Sequence, residues 1–365
     1  MPERLWEVLR THGARYPRMR PRDAVKLIYQ NEFGGGHLVK DRERSLERIR
    51  AECGAALPVP EPVEDIGNGL VRVHLSALEG EKLTPEGLNG AFVRSAELHR
   101  GDMAAFLEKL EVLRELCGQG VWRFSPGELE EYLTGYLAAG CPMVSHSEEY
   151  RGAYRPAYRV LLRSCLEQLR REEAVVRQID RLRPQGGTLL VAIDGRCAAG
   201  KSTLAECLRE RLGCPVVHMD HFFLRPEQRT AERYAEPGGN VDRERFAAEV
   251  LRPLREGRPA VYRPFDCRSQ SLTEPVRIPA APVVVVEGSY SCHPELAGYC
   301  GLKIFLSVSP GEQTRRVIAR EGPEAARTFR ERWIPLEERY FAAFGIAEGC
   351  ELCFDGTGLK NPPSL

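Results

Sequence analysis

The densest chemistry in this chain lies in Gly195-Arg196-Cys197-Ala198-Ala199-Gly200-Lys201-Ser202, continued by Thr203. The spacing is G-x-x-x-x-G-K-[ST]. Glycines at those two positions let the backbone curl until successive N–H groups face one centre, a nest for phosphate oxygens. A helix starting there adds partial positive charge. Lys201 brings a full charge to the β- and γ-phosphates, and Ser202 brings a hydroxyl to Mg²⁺. The implied ligand is a nucleoside triphosphate with Mg²⁺: ATP, with GTP as the alternative.

Two carboxylates follow at fitting positions. Asp220, in His218-Met219-Asp220-His221-Phe222-Phe223, comes directly after an apolar run. At the carboxyl end of a parallel strand it faces the ligand crevice. There it can take the proton of an acceptor hydroxyl or help hold the metal. Glu287 ends the run Pro282–Val286 and reads as a second Mg²⁺-organising acid, acting mostly through water. The metal set is thus Ser202, Asp220 and Glu287. Arg315, Arg316, Arg320, Arg327, Arg330 and Arg332 crowd the segment after Pro310, with Gly322-Pro323 as a break. Arginines on a hinged flap can close over transferring phosphates. The plainer readings are a helix-capping aspartate, a solvated strand-end acid and a solvated helix face.

Such residues need a scaffold. After Gly187 short β-branched runs (188–193, 215–219, 282–286, 303–308) alternate with helical patterns near 202–212, 242–254 and 310–321. Runs apolar throughout suit strands buried on both faces, so the expected fold is α/β: a parallel sheet flanked by helices. Ser309-Pro310-Gly311-Glu312 reads as an N-cap, a first-turn proline and a capping-box acid. The earlier part is expected to be mostly α-helical, with no clear strand series. The expected domains are a helical region over 1–155, a linker helix over 156–183 and the α/β domain over 184–365. In the linker Tyr158, Leu162, Cys165, Leu169, Val176 and Ile179 share one helical face.

Composition bounds the rest. The 365 residues exceed the usual size of one domain. With 42% hydrophobic and 28% charged residues, a packed core is expected. Lys+Arg and Asp+Glu are both 52, which argues against nucleic acid held by bulk charge. No apolar run nears the roughly 18 residues that span a bilayer, and the N-terminus shows no export signal. No membrane association and a cytoplasmic location are therefore expected, with the 12 cysteines reduced. Cys350 and Cys353 form a lone CxxC, more readily structural than metal-binding.

Taken together, these residues resemble the phosphoribulokinase/uridine kinase family of P-loop small-molecule kinases, over roughly 185–358. That family's D-x-F-[YF] catalytic motif is matched by Asp220-His221-Phe222-Phe223, and its N-x-D sugar-binding motif by Asn240-Val241-Asp242. Its strand-end E-G is matched by Glu287-Gly288, and its R-R-V-x-x-R lid stretch by Arg315-Arg316-Val317 with Arg320. The resemblance implies that Asp220, Lys201 and Arg316 are catalytic. It implies that Arg320 and Arg327 reach ATP phosphates and that Asn240, Asp242, Arg263, Asp266 and Arg316 contact the acceptor. Phe265 stands where uridine kinases have tyrosine, and Gln270 near where a histidine reads the pyrimidine. Acceptors other than uridine, such as another nucleoside, a sugar or a pantothenate-like alcohol, therefore come into view. The whole chain is similar to longer bacterial uridine kinase-like proteins with an extra helical region before the kinase.

Two polar clusters mark residues 1–155. One is Asn31-Glu32-Phe33-Gly34-Gly35-Gly36-His37; the other runs from Ser145-His146-Ser147 through Tyr150-Arg151 and Tyr154-Arg155 to Tyr158-Arg159. Interdomain packing, a small-ligand site, or a metal held by His37, His146 and Glu32 are the readings open to them. Two functions stand against each other. One is ATP-dependent phosphoryl transfer to a small hydroxyl compound, as a monomer or homo-oligomer. The other is a nucleotide-dependent switch whose helical region binds a partner or effector.

Overall fold

The computed structural model describes residues 2–36 and 41–357, so His37 lies outside the described residues. The chain forms two compact units, 1–173 and 174–365.

Unit 1 contains α1 (Pro2–Arg15), α2 (Pro21–Phe33), α3 (Arg42–Cys53), β1 (Val63–Gly67), β2 (Leu70–His74), α4 (Pro85–Leu98), α5 (Met103–Gly118), α6 (Pro126–Ala138), α7 (Glu148–Tyr154) and β3 (Tyr158–Leu162). The helix α8 (Arg163–Leu182) carries the chain into unit 2. Helix dominates, as expected, but the three strands form an antiparallel sheet in the order β1-β2-β3. A sequence signal for it exists. Asn68 and Gly69, joining β1 to β2, both take positive φ (54° and 74°), the backbone that an Asn-Gly hairpin turn requires.

The linker helix expected from Pro156 is corrected in the same way. Tyr158–Leu162 is a strand paired with β2 from Leu70↔Leu162 to His74↔Tyr158, and the helix begins only at Arg163. A run of five apolar or aromatic-rich residues fits either period; a waiting strand edge decides it. Cys165, Leu166 and Leu169 of α8 belong to the unit 1 core, while Val175, Val176 and Ile179 belong to that of unit 2.

Unit 2 continues with β4 (Leu189–Gly195), α9 (Lys201–Leu212), β5 (Val216–His218), α10 (Ala231–Ala235), α11 (Arg243–Phe246), α12 (Arg252–Arg255), β6 (Ala260–Tyr262), β7 (Phe265–Asp266), β8 (Ser271–Leu272), β9 (Val276–Ile278), β10 (Val283–Glu287), α13 (Pro294–Ala297), β11 (Leu302–Ser307), α14 (Pro310–Thr328), α15 (Ile334–Phe344) and β12 (Leu352–Asp355). Five strands make one sheet in the order β12-β11-β4-β10-β5, with every neighbouring pair parallel. Alternate residues of one strand enter different cores. Leu190, Ala192, Val284 and Val286 pack with Phe222, Phe246 and Tyr340, whereas Leu189, Val191, Val283 and Val285 pack with Leu204 and Leu208. That is why the strands read as unbroken apolar runs. The fold is the expected layered α/β sheet. The central β4 has β10 on one side and β11 on the other, a topological switch point where ligands gather.

Two local expectations change. Ser309 caps α14 by position only, its side chain making no capping bond, and Glu312 pairs with Arg315 and Arg316 instead of closing a capping box. The edge strand β12, half exposed and containing Cys353, lacks the apolar run that marked its neighbours. None of the twelve cysteines is in a disulfide. No helix among the described residues is long and apolar enough to cross a membrane.

A fragment starting at Ala174 keeps every residue of the two cores of unit 2. It is expected to be soluble and to melt cooperatively by circular dichroism. One starting at Pro156 carries β3 stripped of β2 and is expected to aggregate; equal solubility of the two would show that β3 needs no partner.

Candidate active site

β4 ends in Asp194 and Gly195, and the backbone then turns through left-handed positions at Gly195 (φ 131°), Ala198 (φ 59°) and Gly200 (φ 97°) before α9 begins at Lys201. Glycine is obligatory at 195: a Cβ there would lie 2.0 Å from the carbonyl oxygen of Leu306. The close approach lets Arg196 N–H donate to that same oxygen at 2.9 Å. The predicted loop thus stands at the carboxyl end of β4, with the start of α9 behind it. Lys201 is buried, and its Nζ donates to the carbonyls of Gly195 (2.7 Å) and Arg196 (3.0 Å) and to Ser289 Oγ (3.2 Å).

Asp194 anchors this arrangement from below. It is fully buried and accepts from Gly195 N (2.6 Å), Tyr290 N (3.1 Å), Cys292 N (2.8 Å) and the Tyr340 hydroxyl (2.8 Å). Burial pushes its carboxyl up, and the hydrogen bonds and Lys201 pull it back.

The acidic side is built by neighbouring strands. Glu287 is level with Ile193 on β4 and His218 on β5. It accepts from the Ser202 hydroxyl at 3.1 Å, and its other oxygen lies 2.6 Å from His218 Nδ1. That bond raises the His218 pKa above the usual imidazole range. Gly288 follows, where a Cβ would come within 2.7 Å of Met219 Cβ, so the exit of β10 passes hard against the turn 219–222. Asp220 sits in that turn, an exposed residue whose carboxyl is nevertheless crowded by the surrounding protein. It makes no hydrogen bond to any described residue, and its carboxyl is raised by desolvation and by Glu287, against Lys201, His218 and Arg320. Lys201, Ser202, Glu287 and Asp220 therefore share one neighbourhood.

The other predicted residues divide. Arg320 stands at the loop, with NH2 3.7 Å from Cys197 Sγ. Arg316 is buried and donates to the carbonyls of Ala198 (3.1 Å) and Gly356 (2.6 Å), so it braces the loop from outside. Arg327 is 73% exposed and pairs with Glu331. Asp242 caps α11 through Arg245 N (3.1 Å) and accepts from Gln228 (2.8 Å). Asn240 is buried and bonded to Tyr290. Arg263 is spent on the carbonyls of Thr273 (2.7 Å) and Leu272 (3.0 Å), and Asp266 on the N–H groups of Arg268 (2.9 Å) and Ser269 (3.2 Å). Gln270 Nε2 donates to the Cys267 carbonyl within the β7–β8 turn.

Sequence reasoning missed three side chains that hold the loop. Glu337 accepts from Cys197 N (2.9 Å) and the Ser289 hydroxyl (2.6 Å). Glu338 makes a two-pronged pair with Arg196 (2.6 and 2.9 Å). Gln313 donates to the Cys197 carbonyl at 3.1 Å. Nothing in Pro335-Leu336-Glu337-Glu338 distinguishes these acids from solvated helix residues; only the apolar Tyr340 and Phe341 of α15 hint at which side faces inward.

In unit 1 the second polar cluster folds into a buried chain of polar groups. Asp23 lies 2.8 Å from His146 Nδ1, His146 Nε2 lies 2.6 Å from the Tyr158 hydroxyl, and Arg72 stacks over Tyr158 at 4.6 Å. Burial pushes the His146 pKa down to about 4, so the ring is neutral at pH 7. Glu32 pairs with Lys109 at 2.5 Å. Among the described residues no cluster of three or more His, Cys, Asp and Glu is placed to hold a metal ion.

The sequence matches no protein-family model and no curated protein. Similar solved structures include a possible uridine kinase from Bacillus stearothermophilus, 18% identical over 52% of this chain and 100% of that one, with TM-score 0.39. A protein from Silicibacter, provisionally named a fructose transport system kinase, is 22% identical over 50% of this chain and 98% of its own, with TM-score 0.39. The D-glycerate 3-kinase of Cryptococcus neoformans is 15% identical over 47% and 87%, with TM-score 0.35.

The Gly195→Ala substitution tests the loop's geometry. The added methyl group meets backbone, which cannot swing aside, so a loss of about 3 kcal/mol or more is expected. A melting temperature within a degree or two of the parent would show that the close approach to Leu306 does not exist.

Proposed function

We propose that this chain is an ATP-dependent phosphotransferase of the phosphoribulokinase/uridine kinase kind, moving the γ-phosphoryl group of ATP to a hydroxyl of a small metabolite. The observation that carries this reading is an unengaged carboxylate, Asp220, beside a loop whose geometry is that of a phosphate nest. The residues fit nucleotide and metal. Lys201 holds its charge on its own loop's carbonyls, from which it can turn to phosphate oxygens. Ser202 and Glu287 already lie within a hydrogen bond of one another where Mg²⁺ would sit. Bound MgATP supplies the phosphoryl group and the metal charge that neutralises it.

The chain's own residues do the rest. Asp220, raised above ordinary aspartates, accepts the acceptor's hydroxyl proton at its carboxylate. Lys201 and Arg320 offset the charge that spreads over the moving group. Arg316 acts through the loop it braces. The flap from Gly322 onward excludes water; at Gly322 the α14 backbone leaves helical geometry (φ 83°, ψ 166°), which supports the hinge. Catalysis is then mostly positioning and electrostatics. A nucleoside acceptor, as in uridine kinases, is the first to try. The turn engagement of Gln270 supplies no pyrimidine reader, so sugars and pantothenate-like alcohols belong in the same panel.

A second reading has an observation of its own. Asn240, Asp242, Arg263 and Asp266 are all satisfied within the protein. A nucleotide-dependent switch needs no acceptor pocket and fits that. MgATP turnover across an acceptor panel, with mass spectrometry for a product heavier by one phosphoryl group, separates the two. Acceptor-stimulated turnover is expected; turnover that no acceptor stimulates supports the switch.

Two substitutions follow. Lys201→Ala is expected to abolish turnover. Asp220→Asn is expected to slow it by about 10²- to 10⁴-fold while leaving nucleotide affinity nearly unchanged. A collapse of affinity with bound ATP still turning over would make Asp220 a metal ligand or a structural residue.

A further inference from the structure

A buried acid beneath a phosphate site is unexpected, because it repels what the site binds. Glu337 is such an acid, with only 6% of its surface exposed. One oxygen accepts from Cys197 N within the loop at 2.9 Å; the other accepts from Ser289 Oγ at 2.6 Å. Ser289 Oγ is 3.2 Å from Lys201 Nζ, so carboxylate, hydroxyl and ammonium form one line. The charged groups facing Glu337 are Lys201 from α9, Asp194 from the end of β4, and Arg196, which its neighbour Glu338 already pairs. Cys197, Tyr290 and Tyr340 complete the titratable set around it, none of them ionised at neutral pH. Among the described residues Lys201 is thus the strongest charge acting on Glu337.

We propose that Glu337 is the resident counter-charge of the phosphate loop: it holds the Lys201 ammonium over the nest before nucleotide arrives and takes a proton from solvent when the phosphates draw that ammonium away. The inference rests on the nucleotide-binding reading above and adds a positioning residue to it. The proton balance is simple. The nucleotide's negative charge enters, Lys201 remains protonated and changes partner, and one proton passes from buffer to a Glu337 oxygen. Ser289 keeps its hydroxyl proton and turns it elsewhere. The N–H of Cys197 continues to donate to the acid, so the loop keeps its shape. Burial already favours the neutral acid and Lys201 opposes it, so removing Lys201's influence tips the balance towards protonation.

The test is calorimetry of MgATP binding to the full chain at pH 7 in buffers of different ionisation enthalpy. A binding enthalpy that changes with the buffer, with a slope equal to an uptake of up to about one proton per nucleotide, is expected. In Glu337→Gln the slope should fall to near zero with affinity kept within about tenfold. No slope in the parent, or an equal slope in Glu337→Gln, overturns the proposal. Absence of any binding heat instead overturns the nucleotide-binding reading beneath it. If Glu337→Gln does not fold, Asp220→Asn, His218→Gln and Tyr340→Phe decide: the first two remove other groups near the loop able to take a proton, and the third takes a hydrogen bond from Asp194, the remaining buried acid beside Lys201. The slope should survive all three; its change in any of them assigns the proton elsewhere.

Discussion

A carboxylate at the dry end of a parallel sheet must have its lone pairs occupied, or the sheet end does not form. Asp194 meets that demand with four donors drawn from three parts of the chain: its own strand's exit, the segment after β10, and α15. Each donor it recruits fixes something the site needs. Gly195 N–H sets the first turn of the loop. The N–H groups of Tyr290 and Cys292 hold the path along which Glu287 and Ser289 stand. Tyr340 places α15, and with it Glu337 and Glu338. Breaking one such partner leaves an unsatisfied buried acid, which costs several kcal/mol in cases of this type.

The loop above Asp194 is gripped from outside as well. Residues 196–198 receive Gln313 and Arg316 from the first turns of α14 and Glu337 and Glu338 from the first turn of α15. Backbone that curls around phosphates has few partners of its own, because its N–H groups are directed at the ligand. Its outward carbonyls and side chains are therefore available for bracing, and Gln313, Arg316 and Glu338 use them, while Glu337 takes the N–H of Cys197. The result is a loop held in shape by the chain's own side chains, so that a ligand bound there loses little affinity to ordering it.

Much of this was legible beforehand, and the rest was not for identifiable reasons. Gly195–Ser202 declared itself because few sequences other than a phosphate loop need those glycines after a buried strand. The central strands β4 and β10 are legible because both faces are covered along their whole length, and β11 is nearly so; β5 and β12, at the two edges, are partly exposed, and only β5 keeps an apolar run. The hairpin of unit 1 carries its Asn68-Gly69 signal, but the helical patterns on either side of it outweigh so short a cue. Glu337 and Ser289 could not be found from spacing: they lie far apart in sequence, and only α15 folding back across the loop gives them a shared purpose. The resemblance-based substrate residues show the converse. Their positions match a motif, yet Asp242, Arg263 and Asp266 spend their polar atoms on nearby backbone, an outcome that motif matching does not register.

One geometric feature has a mechanical side. The arc between α14 and α15 leaves the loop's neighbourhood at Gly322 and returns through a widened π-turn at Phe329–Trp333. Its two ends are pinned to adjoining loop residues, Cys197 and Ala198 from α14 and Arg196 and Cys197 from α15. A visor mounted on two pivots set so close together has one easy motion, a swing about the line joining them, while twisting or sliding would drag the pivots themselves. Lengthening or trimming the arc alters how far the visor reaches and what it shades; the pivots, and the grip they exert on the nest, stay where they are.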